Sequence, residues 1–201
     1  MPVTPTPPDD PRSRRTRSSS EEVHERLLNA AAKLFEAKGI QAVGVDEICA
    51  SADVAKMSLY KHFKGKDQLI AAYLQRMDEA FLGSIERAIG KAPGDARAGV
   101  GALFEFLYEW FQTPEFRGCP FLNAAAEFAD VSHPARSVCL SHKARLQEIL
   151  ARVVREMGKP DAEPLASQLL LLMDGAVLRA QMTGSPESAR HAKLAAERLI
   201  A

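Results

Sequence analysis

Apolar residues recur along this chain at intervals of three and four, the spacing of one face of an α-helix, and no stretch alternates as a half-buried strand would. Val23, Leu27, Ala31, Leu34 and Phe35 form the first stripe, and Gly39 closes it as a residue free to take the left-handed conformation. Ser18 and Ser19 precede Glu21 and Glu22 by the capping-box spacing, which predicts a helix start near Ser18. Two short helices are predicted over residues 45–52 and 56–63, separated by Asp53, Val54 and Ala55, a gap long enough only for a tight turn. A longer helix starts at Lys66, turns Ile70, Tyr73, Met77, Phe81 and Ile85 inward, and stops where Gly90, Pro93 and Gly94 interrupt the pattern.

Further on, Val100, Leu103, Phe104, Leu107 and Phe111 make a stripe that Pro114 ends, and a helix holding Phe121 and Phe128 precedes Pro134. Val138, Leu146, Ile149, Val153 and Met157 mark a long helix closed by Gly158 and Pro160. Leu165, Leu169, Leu172, Met173, Ala176 and Ala180 line the next, Gly184 ends it, and Ser185 and Pro186 supply the cap and first-turn residue of the last. The expected fold is all-α, with a three-helix helix-turn-helix domain at the N-terminus and a larger helical domain after it. The expected boundaries are a flexible arm over residues 1–17, the helix-turn-helix domain over 18–65 and the second domain over 66–201.

Composition narrows the class. Of 201 residues, 46% are hydrophobic and 26% charged, which suits a soluble globular protein, and the apolar runs are too short and interrupted to span a bilayer. The first twenty residues have no apolar stretch of the kind a secretory signal needs, so a cytoplasmic location is expected. Cys49, Cys119 and Cys139 are too scattered for a disulfide framework or a Cys-x-x-Cys zinc site. The 26 basic residues balance the 26 acidic ones, so any attraction for nucleic acid must come from local clusters. One cluster, Arg12, Arg14, Arg15 and Arg17, lies in the proline-rich arm. The other, Lys56, Lys61, His62, Lys64 and Lys66, follows Val54 with no acidic residue among its members.

In the second cluster Leu59 and Phe63 lie one helical turn apart and are apolar, so they face inward with Ile48 and Val54. Met57 and Lys61, also one turn apart, then face outward, with Ser58 and Tyr60 on the shoulders, a face suited to a DNA major groove. Taken alone, the lysines fit a solvated face equally well. The run Tyr60-Lys61-His62-Phe63, followed by Gly65-Lys66-Asp67 and Leu69, resembles the DNA-binding region of the TetR family of bacterial regulators, and the likeness extends over roughly residues 21–74. The resemblance implies that Tyr60, His62 and Lys66 touch phosphates while Lys56, Met57, Ser58 and Lys61 face the groove. It also implies a double-stranded operator, a small-molecule effector and repression as the default. Three departures stand out: Gly44 where the family has a capping threonine, Asp53 for the turn glycine, and Ala55 for the serine before the recognition helix.

A helix-turn-helix that reads a two-fold operator works as a dimer, so a homodimer surface is expected. The last two helices offer Leu169, Leu172, Met173, Gly175, Ala176, Ala180, Ala192, Ala196 and Leu199, which packing within one chain would use equally, and the resemblance implies pairing through these helices as a four-helix bundle. A ligand pocket is expected among Phe81, Phe104, Leu107, Trp110, Phe111, Cys119, Phe121, Asn123 and Glu127, apolar walls with a few polar groups. The bland reading makes most of these core. Cys119 beside Arg117 and a helix start would be an electrophile sensor if its pKa were lowered and an inert thiol if buried. Glu127, His133, Cys139 and His142 define the alternative of a small helical enzyme or metal-binding protein, although their spacing matches no strong ligand motif. No phosphate loop, dinucleotide fingerprint or nucleophile elbow is present, so neither an enzyme nor a cofactor is expected.

Overall fold

A computed structural model describes residues 11–201, with side chains from Ser20 onward. The described residues form helices joined by short loops, with no strand among them. In chain order these are α1 (Pro11–Lys38), α2 (Val45–Ala52), α3 (Lys56–Phe63), α4 (Lys66–Ile89), α5 (Ala96–Phe111), α6 (Pro120–Glu127), α7 (Pro134–Glu156), α8 (Ala162–Thr183) and α9 (Glu187–Leu199).

Three expected helix boundaries move. Helix α1 begins at Pro11, so the residues of the expected arm are helical from there on and the serine–glutamate pairs do not mark the helix start. The part of the arm before Pro11 lies outside the described residues. Phe128 caps the end of α6 and is not a member of it, and Pro186 is the N-cap of α9, while Ser185 Oγ accepts from the Glu187 amide at 3.4 Å.

The chain divides into two compact units, one ending at Tyr73 and the other spanning Leu74–Ala201. The division falls inside α4, two turns later than the expected start of the second domain at Lys66. The reason is packing: Leu69, Ile70 and Tyr73 are buried, and the Tyr73 ring meets Phe35 of α1 edge-on at 5.4 Å. In the first unit, Leu27, Ala31 and Phe35 of α1 enclose a small core with Ile48, Leu59 and Phe63.

The core of the second unit takes Leu82 and Ile85 from α4, Leu103, Phe104 and Leu107 from α5, and Leu146, Leu150 and Val154 from α7. From α8 and α9 it takes Leu169, Met173, Ala176, Ala180, Ala192 and Ala196. The alanines let α8 and α9 approach closely, and Ser188 Oγ donates to the Ala176 carbonyl at 2.7 Å between them. Helix α9 also holds α5, through Lys193 Nζ to Glu105 at 2.6 Å and the Arg190 guanidinium 4.1 Å above the Tyr108 ring.

Candidate nucleic-acid interface

The turn between α2 and α3 is built on Asp53, which takes the left-handed conformation at φ 51° and ψ 54°. A residue with a Cβ is strained there, and aspartate less than most. Two sets of bonds hold it. The Asp53 and Val54 amides return to the Ala50 and Cys49 carbonyls, and the Arg26 guanidinium of α1 donates to the Asp53 carbonyl at 2.5 Å and its carboxylate at 3.1 Å. Gly44 and Ala55 occupy the N-caps of α2 and α3 in extended conformation and, as their side chains dictate, make no capping bond.

Helix α3 presents the two faces its spacing predicts. Leu59 and Phe63 are buried; Met57 is 77% exposed and Tyr60 44%, and Lys56 and Lys61 are exposed with them. Ser58 and His62 are half-buried on the flanks. A methionine left three-quarters in water by its own fold is an apolar group suited to a base edge, thymine methyl included.

Tertiary contacts add what spacing alone omits. Lys56 Nζ pairs with Asp46 of α2 at 2.8 Å, and this bond raises its pKa and keeps it charged. Lys66 Nζ donates to the Gln41 carbonyl at 3.2 Å, so the start of α4 is tied to the loop before α2. His62 stands 6.1 Å from His24 of α1, whose own ring stacks on Phe63 at 4.5 Å. Burial, then His24, then Lys61 push the His62 pKa below its ordinary value. Asp46, Gln41, His24 and Arg26 therefore belong to the site. In the sequence Gln41 and Asp46 are marked only by polarity near a predicted helix start, and His24 and Arg26 only as polar positions of the first helix.

In the second unit the expected pocket residues separate into two sets. Phe104, Leu107, Phe111, Cys119 and Phe121 are buried, whereas Phe81, Trp110, Asn123 and Glu127 are half-buried. Phe81 meets Trp110 at 5.2 Å, Trp110 meets Phe116 at 5.0 Å, and Phe116 meets Phe111 at 4.9 Å, a continuous aromatic seam between α4 and α5. Asn123 donates to the Arg117 carbonyl and accepts from Gln181 of α8. Gly118, at φ 83°, makes room for that crossing, since a Cβ there would lie 2.2 Å from Gln181 Oε1. Burial raises the Cys119 pKa, contrary to the lowering an electrophile sensor needs. Burial likewise lifts Cys139, to about 11.

The alternative metal or catalytic set does not assemble. His133 stacks on Phe128 at 3.9 Å and caps α7, His142 bonds Asp78, and Cys139 is a buried thiol. No group of three or more histidine, cysteine, aspartate or glutamate side chains among the described residues could hold a metal ion.

The residues expected at the dimer surface divide by exposure. Leu169, Met173, Ala176, Ala180, Ala192 and Ala196 are buried within one chain, Leu172 and Leu199 are half-buried and Gly175 is exposed. The apolar side chains that these helices leave in solvent are Leu171, Leu178, Met182 and Leu194, with Met182 77% exposed. No helix among the described residues is long and apolar enough to cross a membrane.

A helix-turn-helix with a basic outward face, joined in one chain to a larger all-helical unit with an aromatic seam, defines a DNA-binding regulator of the two-unit helical type. Residues 27–73 match the bacterial regulatory proteins, tetR family, and residues 96–196 match the tetracyclin repressor-like C-terminal domain. A TetR-family transcriptional regulator from Streptomyces coelicolor of known structure is 34% identical, with a TM-score of 0.82 over 90% of this chain and 95% of that one. The HTH-type transcriptional repressor NemR of Escherichia coli K12 is 27% identical over 90% of this chain and 94% of its own. The HTH-type transcriptional regulator AcrR of Shigella flexneri is 24% identical over 88% and 82% respectively. This chain belongs to the TetR family: it is a DNA-binding transcriptional regulator and not an enzyme.

Proposed function

We propose that the protein is a cytoplasmic homodimeric repressor that binds a palindromic operator and leaves it when a small molecule enters the second unit. The observation that carries the DNA assignment is the exposed face of α3, Met57 and Lys61 outward over a buried Leu59–Phe63 pair. On this reading Met57 and Lys61, with Lys56 and Ser58, read bases, whereas Tyr60, His62 and Lys66 hold phosphates. Repression is carried over from relatives such as NemR, which is named a repressor.

The partner in the dimer is a second copy, seated on Leu171, Leu178, Met182 and Leu194 of α8 and α9. These four lie on the element pair through which TetR-like proteins pair. The effector enters against Phe81 and Trp110 of the aromatic seam and the Phe121 ring, where apolar walls stand beside Asn123 and Glu127. Phe81 lies on α4, the helix that begins at Lys66. Because two half-sites are read together, a small change in the spacing of two α3 helices costs contacts on both.

The test is to select duplexes from a random library with the purified protein and measure affinity for the selected and a random duplex. Lys61→Ala or Met57→Ala is expected to change the preferred sequence, with a loss of about 1–3 kcal/mol at the affected base pair. Tyr60→Phe is expected to weaken both duplexes alike. If Lys61→Ala left the preference untouched and Tyr60→Phe altered it, the assignment of faces would be wrong.

A further inference from the structure

We propose that Asp78, His142 and Arg145 form a latch through which α7 holds α4 in its DNA-binding arrangement, and that an effector acts by opening it. The inference rests on the ligand-responsive reading above and names the side chains that carry the response.

Among the described residues, Asp78 and His142 are the two polar or charged side chains that are buried, at 5% and 1% exposure. They bond each other: His142 Nδ1 lies 2.7 Å from Asp78 Oδ1. The second carboxylate oxygen of Asp78 accepts from Arg145, whose side chain is half exposed. Burial leads the causes that set the His142 pKa below its ordinary value, so the ring is neutral near pH 7 and donates its Nδ1 proton to the carboxylate. Phe121 of α6 stacks flat on a face of this ring, 3.6 Å between centroids at 11°. Phe81, one turn beyond Asp78 on α4, meets the same ring at 5.7 Å.

A carboxylate taken out of water is tolerated only while its partners remain in place. Movement of α4 on α7 that parts His142 from Asp78 leaves the buried carboxylate only the half-exposed Arg145, so the contact has a held and a released position of the kind allosteric change requires. The proposed effector site includes Phe81 and Phe121, the two rings that enclose His142. Room made there separates Phe121 from His142 and carries Phe81 away with Asp78, since both sit on one turn of one helix. Effector and closed latch thus exclude each other, and the closed form is the one that binds operator. Lys66 lies twelve residues earlier on the same helix.

The experiment compares full-length wild type with Asp78→Asn, Arg145→Ala and Arg145→Lys. Affinity for the selected and the random duplex is read by fluorescence anisotropy, and the conformation of α4 by the emission of Trp110, the sole tryptophan and a neighbour of Phe81. Asp78→Asn and Arg145→Ala are expected to lose about tenfold or more on the selected duplex, to change little on the random one, and to shift Trp110 emission. Arg145→Lys, which keeps a donor and the charge, should recover part of the loss. Wild-type affinity with unchanged emission in both variants overturns the latch, and so does an equal loss on the two duplexes, the signature of general destabilisation. Should Asp78→Asn fail to fold, the half-exposed Arg145→Ala decides. If wild type selects no duplex, the regulator reading fails on its own. Trp110 emission then decides the latch, with an unshifted spectrum overturning it.

Discussion

His62 sits where folding and DNA binding ask opposite things of one side chain. Its pKa lies below the ordinary 6.5 because of burial, then His24, then Lys61, so the unfolded chain takes up its proton first as pH falls. The contribution to stability is therefore absent as a pH effect well above 6.5 and becomes a loss as pH falls through that value. A phosphate against the ring would reverse the preference and favour the charged form. Lowering pH from about 7 to 5 is thus expected to lower the melting temperature of the free protein while tightening its grip on DNA. His62→Gln should flatten both slopes, as measured by thermal melts and anisotropy across that range. Equal slopes in variant and wild type would show that His62 is not the group. Other residues here owe their roles to distant partners: Asp53 was legible as a turn residue, but its clamp, Arg26, is 27 positions away.

Among the elements, α2 and α3 begin on residues that leave first-turn amides without a side-chain acceptor. They do so to different degrees. Glycine is only a few tenths of a kcal/mol poorer than serine at an N-cap, whereas alanine is poorer by about 1 kcal/mol. Ala55 is exposed and already extended, at φ −68° and ψ 144°, so a hydroxyl can be added without rearrangement. Ala55→Ser is expected to raise unfolding stability by about 1 kcal/mol and Gly44→Ser by much less, read as shifts of the urea midpoint at constant slope. A larger gain at Gly44 would contradict the capping account. These helices were legible to the residue because each is bounded by a cap or a turn in its own sequence. Helix α1 was not, since the serine–glutamate spacing that signals a start also occurs inside a longer helix.

At the scale of the whole molecule, the question is which apolar surface meets a second copy. Leu178 is 52% exposed on α8, on the same helices whose alanines are spent on the intrachain contact. Leu178→Glu is expected to shift the protein from dimer to monomer in sedimentation, to leave its helix content unchanged and to weaken operator binding. Ala196→Glu places a charge in the α8–α9 contact and is expected to unfold that unit instead, since an unpaired buried carboxylate costs several kcal/mol. A monomer that keeps wild-type operator affinity would remove the dimer from the proposed function.

What the sequence determined by itself was local. The helical period, the glycines and prolines at helix ends and the two faces of α3 follow from interactions within about four residues, and a single chain displays them directly. Periodicity says that a side chain turns inward but not what it meets. The tertiary structure alone decided that the alanines of α8 and α9 face each other within one chain, leaving Leu171, Leu178 and Met182 outside. It also decided that Asp46 answers Lys56 and that Asp78 meets His142 and Arg145 across 64 and 67 positions. Asp78 carries a faint local sign, lying four residues from both Leu74 and Leu82 on the apolar stripe of α4. Only the packing of α7 supplies the two donors that let a carboxylate remain there.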